Sequence, residues 1–212
     1  MISTVLALIA VTGPVQEPID FQLGWKQGDK FAYILSAKGG ELSDQGRLNI
    51  TVTKADAKGF TISWPTVDMS GYSEDLAAGT IQLDKHGLVT SKSTTLHALM
   101  IMVQMTLPGK PIALGGSFKV NATALEEDDA TALEVKLEMT GKLAKIDETK
   151  GRVAHFSFEG TMQSPDGVDL KIKISSVFDM VRGIFTSSVF EWVDYGTSFT
   201  LKLVEKGEAV SS

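Results

Sequence analysis

Apolar and polar residues alternate along most of this chain, and this two-residue period constrains the fold more than any other feature. LEVKLEM (133–139) alternates apolar and charged residues, and VDLKIKIS (168–175) and SFTLKL (198–203) repeat the pattern. A strand of this kind buries one face and leaves the other in water, as is typical of antiparallel sheets. Turn-forming residues separate these segments. The sequence therefore predicts a mainly β fold of ten to twelve strands.

One stretch breaks the alternation. TTLHALMIMVQMTLPGKPI (94–112) is almost continuously apolar and contains three methionines. Leu96, Leu99, Met100 and Val103 have the spacing of one helix face, a threonine or serine before them can cap the first turn, and Pro108 forbids continuation. We predict one buried helix of about ten to twelve residues. A pair of buried strands is the alternative, because Ile, Val and Met runs suit both structures.

Segments before and after this stretch resemble one another in the same order. The matched pairs are VTKADAKGFTISW with LAKIDETKGRVAHFSF, GDKF with GGSF, and LDKHGLVTS with FDMVRGIFTSS, at offsets of 87 to 95 residues. Such self-similarity is the signature of tandem structural units. We predict a signal peptide and lead at 1–17, a first β repeat at 18–92, a linker helix at 93–112, a second β repeat at 113–205 and a tail at 206–212, with both repeats in one domain.

The N-terminus and the charge indicate the compartment and exclude some partners. Residues 2–11 are an apolar run of signal-peptide length, and Ala10 and Thr12 suit a cleavage site, although no Lys or Arg precedes the run. A first β-strand or a buried arm is the alternative. The run is too short to span a membrane. A net charge of −6 and the absence of basic clusters argue against nucleic acid. The prediction is an exported protein, periplasmic or extracellular, of unknown oligomeric state.

The phrases GWKQGDKFAYI, LPGKPIALGGSF and FDMVRGIFTSS resemble those of a group of uncharacterised exported bacterial proteins with two β repeats. The opening phrase of the second repeat in that group corresponds to Pro108, Ile112, Gly115 and Phe118, with Phe in place of the usual Trp. More remotely, the chain is similar to LolA-like and LppX-like half-barrels. That resemblance implies a large curved antiparallel sheet, a half-barrel or an open barrel, that wraps over helices and holds lipid. It implies no catalytic residue.

The sequence contains no recognisable catalytic or metal-binding pattern. It has no cysteine, so thiol catalysis and zinc–thiolate sites are excluded. His86, His97 and His155 have no metal-ligand spacing, and the acidic run EEDD (126–129) lacks the spacing of a calcium loop. We expect no cofactor, no metal site and no catalytic residue. An enzyme on a β scaffold is the least favoured function.

Two non-enzymatic functions remain. The first is an exported binding protein for a lipid or another apolar small molecule, held in the concave face of the sheet and gated by the Met-rich helix, because methionine suits adaptable apolar sites. The second is a structural or protein-interaction module with a solid core. For the first, the candidate ligand-binding residues are Leu96, His97, Leu99, Met100, Met102, Val103 and Trp64.

Overall fold

The computed structural model describes residues 17–39, 42–68, 77–91, 95–128, 131–149, 151–163 and 167–205. The strands are β1 (Lys30–Gly39), β2 (Leu42–Asp56), β3 (Gly59–Trp64), β4 (Gly79–Leu83), β5 (Ser117–Asp128), β6 (Thr131–Asp147), β7 (Val153–Gln163), β8 (Asp169–Asp179), β9 (Ile184–Trp192) and β10 (Thr197–Leu203), and the helix α1 (Leu96–Val103) lies between β4 and β5. The predicted mainly β class is confirmed, and the predicted signal peptide lies outside the described residues.

All ten strands form one open antiparallel sheet in the order β4-β3-β2-β1-β10-β9-β8-β7-β6-β5. Strands β1–β4 and strands β5–β10 each follow the chain order, and the pairing of β1 with β10 joins the two sets into one sheet. The two edge strands of this order, β4 and β5, follow one another along the chain. The segment that connects them contains α1.

The sheet curls, because two neighbouring residues touch distant parts of it. The amide of Leu23 donates to the carbonyl of Lys85 at 3.0 Å, and the amide of Gly24 donates to the carbonyl of Gly183 at 2.9 Å. Lys85 follows β4 and Gly183 precedes β9, and five strand spacings separate these two strands. On a flat sheet that separation is about 24 Å. The strand ends approach one another only if the sheet bends around the segment that contains Leu23.

The alternating pattern selects the face that the curled sheet buries. In β6 the residues Val135, Leu137 and Met139 are buried while their neighbours are exposed, and β8 buries Ile172 and Ile174 in the same way. These side chains belong to one contiguous apolar core that also contains residues 98–103 of the helix. The interior of the sheet and the segments that cover it therefore form a single core.

The two predicted repeats contain matching backbone interactions. The amide of Gly28 donates to the carbonyl of Val52 at 2.8 Å, and the amide of Gly115 donates to the carbonyl of Leu143 at 2.8 Å. Both glycines have positive φ, 90° and 79°, and a register shift follows each acceptor residue. These are the positions that the sequence comparison pairs. A duplication explains the match, and it remains a prediction.

The third matched pair of phrases forms two similar turns. Oδ1 of Asp84 accepts hydrogen bonds from two backbone amides at 2.8 and 2.9 Å, and Oδ1 of Asp179 accepts two at 2.9 Å. A glycine with positive φ closes each turn, Gly87 at 81° and Gly183 at 66°. Both turns contact the N-terminal segment, through Lys85 and Gly183. They therefore hold that segment over the interior.

Candidate functional site

The helix of the candidate site is shorter than the sequence predicted. It spans eight residues, Leu96–Val103. Thr95 caps its first turn, with Oγ1 accepting from the amide of Ala98 at 3.3 Å. Gln104 is the C-cap residue, four positions before Pro108. The buried helix is the structure that this stretch adopts, and the alternative of a pair of buried strands is wrong. Residues 95–112, here called the cover segment, continue from the helix to the bridge between Ile112 and Ile19.

Five of the seven predicted site residues belong to one contiguous apolar core. Leu99, Met100, Met102 and Val103 are buried on α1, and the helix packs against β5. Trp64 belongs to the same core, and its Nε1 donates to the carbonyl of Ala77 at 3.0 Å. Leu96 and His97 form the first turn of the helix, and their side chains are outside the described part of the structure. Their role as ligand contacts stays a prediction.

A second segment covers the interior beside the helix. Residues 17–26, here called the strap, bury Phe21, Leu23 and Trp25 and expose the residues between them. The ring of Phe21 packs edge-on against Phe156, with 5.1 Å between the ring centroids. Trp25 packs against Phe31 at 5.3 Å. The interior is thus covered by two segments rather than by the helix alone.

Two clefts formed by described residues lie away from the helix. One, of about 490 Å³, is bounded by residues 89–91 and by β5 and β6. The other, of about 320 Å³, lies between the β2–β3 turn, β4 and Thr90. Charged side chains contribute to both, Lys136 and Glu138 to the first and Lys54 and Asp56 to the second. Neither cleft contains a predicted site residue.

The interior also contains a polar group that the sequence analysis did not single out. Gln104, Thr106, Ser176 and Ser188 are the buried polar side chains of the described residues. The hydroxyl of Ser176 donates to the carbonyl of Gln104 at 2.7 Å and lies 3.0 Å from the hydroxyl of Ser188. A signal was available, because Ser176 occupies an inward position of the alternating β8 strand and Gln104 interrupts an apolar run.

The titratable groups with perturbed pKa values do not form a catalytic arrangement in the interior. Hydrogen bonds from Thr149 lower the pKa of the partly exposed Asp147 carboxyl to about 2. The hydrogen bond from Lys54 likewise lowers the pKa of the exposed Asp56 carboxyl. Among the residues that the structure describes, no three His, Cys, Asp or Glu side chains are grouped so that they could hold a metal ion.

Among the described residues, Tyr33 is the buried titratable residue, and it yields a pH prediction. Its hydroxyl donates to the carbonyl of Phe185 at 3.0 Å, and burial raises the pKa of its phenol well above the usual range. The folded chain keeps the phenol neutral while the unfolded chain ionises it above about pH 10. Wild type should exceed Tyr33→Phe by about 1 kcal/mol in free energy of unfolding near neutral pH, and this difference should shrink as the pH rises above about 10.

Urea denaturation of both proteins from about pH 7 to about pH 11 measures this difference. Phenolate absorbance is a second readout, because the Tyr33 phenol should ionise only when the chain unfolds. A constant difference between the two proteins across this range contradicts the assignment.

No family model and no curated protein matches the chain. Among solved structures, a Bacteroides fragilis protein described as exported and as having a YmcC-like fold aligns with 87% of this chain and 99% of its own, at 9% identity and a TM-score of 0.45. A LolA superfamily protein from Nitrosomonas europaea aligns with 91% of this chain and 86% of its own, at 10% identity and a TM-score of 0.29. The chain is remotely similar to LolA-like proteins. At such identities the likeness concerns the fold alone, so what the chain binds has to be inferred from its own residues.

Proposed function

We propose that this protein is an exported, non-catalytic carrier that binds a lipid or another apolar ligand between the curled sheet and α1. The observation that carries the proposal is the cover segment. It places the buried methionines Met100, Met102 and Met105 over the apolar face of a sheet whose order ends at β4 and β5. Methionine side chains are flexible and polarizable, so they adapt to different apolar shapes.

The shortness of the helix supports a cover that moves. An isolated helix of eight residues is unstable in water, so α1 keeps its conformation only through its packing. A ligand that replaces this packing with its own apolar surface compensates for the contacts that the helix gives up. The helix thus acts as a plug that an apolar ligand displaces, and Leu99, Met100, Met102, Val103 and Trp64 contact that ligand.

Export is supported by the N-terminal sequence. Residues 2–11 are apolar apart from Ser3 and Thr4 and are of signal-peptide length. In the described part of the chain, α1 is too short to be a membrane span. We propose the periplasm or the extracellular space as the location.

A second candidate is a structural or interaction module without a small-molecule ligand. The observation in its favour is the burial of Leu99, Met102 and Trp64, each at 5% exposure or less, together with two clefts that lie elsewhere. In this case the methionines fill the core and the helix does not leave it. The two candidates make opposite predictions for apolar ligands.

Quenching of Trp64 by a brominated methyl stearate, a neutral lipid, separates the two candidates. Bromine quenches tryptophan on close contact, so the measurement is made with Trp25→Phe and Trp192→Phe combined, which leaves Trp64 as the only tryptophan. A carrier should show saturable quenching, and methyl oleate should compete for the same site. Matched addition of unbrominated methyl stearate is the control.

Protein purified from its native host and extracted for lipid mass spectrometry provides an independent test. A carrier should yield the same lipid class in each preparation at near-stoichiometric amount. Unsaturable quenching together with a lipid-free extract favours the solid-core module.

A further inference from the structure

The buried polar group around Gln104 has an incomplete set of hydrogen bonds. Gln104 is 1% exposed, and its Nε2 donates to the carbonyl of Met100 at 2.9 Å. Its Oε1 is buried and has no hydrogen-bond partner among the residues that the structure describes. A buried acceptor left unpaired loses its hydration without a replacement hydrogen bond, so such an atom in an otherwise apolar interior needs an explanation.

The protons of the neighbouring hydroxyls can be assigned. The single proton of Ser176 is used in its bond to the carbonyl of Gln104. In the contact between the two serines, Ser188 must therefore be the donor. Both hydroxyl protons are then committed, while the Oε1 atom of Gln104 and a lone pair of Ser188 remain as acceptors. The serines hold Gln104 by its backbone and leave its side-chain oxygen unpaired.

The charge of this group restricts what it accepts. Gln104, Thr106, Ser176 and Ser188 are neutral, and no Lys, Arg, Asp or Glu of the described residues is buried with them. A carboxylate or a phosphate would lose its hydration without gaining a positive partner, which is costly inside a protein. A neutral group that donates a hydrogen bond satisfies the free oxygen and carries no such penalty.

We propose that the Oε1 atom of Gln104 is a polar subsite within the lipid site, and that it accepts a hydrogen bond from the hydroxyl of a neutral acylglycerol. This inference rests on the proposed carrier function and specifies its ligand class. Gln104 directly follows α1, so the displacement that opens the interior also brings this oxygen to the ligand. The apolar chain replaces the methionines, and the glycerol hydroxyl occupies the position of the missing donor.

The test compares three probes on wild type and on Gln104→Met, which keeps the side-chain length and removes the amide. The probes are monooleoylglycerol, methyl oleate and oleate, whose affinities are measured by competition with the brominated methyl stearate. Loss of the hydrogen bond should weaken monooleoylglycerol about 10-fold. The affinity for methyl oleate, which has no donor, should be unchanged. Thr186→Val, which removes a part-buried hydroxyl outside this polar group, is the matched control and should leave both affinities unchanged.

The outcomes distinguish this subsite from the carrier function. If Gln104→Met weakens monooleoylglycerol and methyl oleate equally, or neither, the subsite is wrong while the carrier function stands. If none of the three probes competes on wild type, both are wrong. Thermal melting checks that the variant folds. If Gln104→Met does not fold, wild type still decides, because the subsite requires it to bind monooleoylglycerol more tightly than both methyl oleate and oleate.

Discussion

Replacing Phe156 by alanine should lower the free energy of unfolding by about 3–5 kcal/mol, because it removes a ring that joins the strap to the sheet. Phe156 lies on β7 and is 2% exposed. Its ring packs against Phe21 at 5.1 Å, Phe118 at 6.2 Å and Phe158 at 6.4 Å between centroids. The cavity would open where rings from the strap, β5 and β7 meet. Urea denaturation measures the change, and the melting temperature should fall on the order of 10 °C.

Phe199→Ala is the matched control. Phe199 also packs against aromatic rings, Phe190 at 6.2 Å and Trp192 at 5.6 Å, but it is only partly buried. Its loss should cost about 1–2 kcal/mol, because less surface is removed from the core. Equal losses for the two variants would contradict the position of Phe156 in the core between the strap and the sheet.

A double-mutant cycle tests the strap contact itself. If Phe21 and Phe156 pack as described, Phe21→Ala and Phe156→Ala together should cost less than the sum of the single losses, by about 0.5–1.5 kcal/mol. If the two losses of stability add strictly, Phe21 and Phe156 are not in contact, and the described packing of the strap is wrong.

The sequence predicted the strands well because a period of two residues is a local property. Val135, Leu137 and Met139 alternate with charged residues, and any strand built from that pattern buries the same side chains. The helix was predicted for the same kind of reason, since a capping threonine and apolar spacing act within a few residues. Its end was less predictable. Pro108 sets only an outer limit, and the chain leaves the helix at Gln104 instead.

What the sequence did not predict depends on contacts between distant residues. The pairing of β1 with β10 brings together positions such as Tyr33 and Leu203, and no local pattern specifies that partner. The sequence analysis placed residues 18–26 in the first repeat without a role as a cover, which only the bonds to Lys85 and Gly183 reveal. Gln104 was missed because a single polar residue in an apolar run gives no sign of its partners. Its role depends on the hydrogen bond from Ser176 of β8, which in turn contacts Ser188 of β9.

The second large expected effect concerns Gly183, which lies in close contact with the strap. Gly183 has a φ of 66°, and a Cβ at this position would lie 2.3 Å from the amide nitrogen of Gly24. Alanine would therefore pay the cost of the left-handed conformation, about 1–2 kcal/mol, and would also push the strap away from the β8–β9 turn. The hydrogen bond from Gly24 to Gly183 would be lost with it. We expect Gly183→Ala to lower the free energy of unfolding by about 3 kcal/mol or more.

Gly196→Ala separates the two causes. Gly196 has nearly the same φ, 62°, and a Cβ there would meet nothing within 4 Å. It should therefore show the conformational cost alone. Hydrogen–deuterium exchange provides the second readout. The Leu23 and Gly24 amides donate from the strap to the two turns, so they should exchange faster in Gly183→Ala but not in Gly196→Ala. If both variants lose the same stability and keep those amides protected, the strap does not depend on its close approach to Gly183, and its role as a cover held by the two similar turns is wrong.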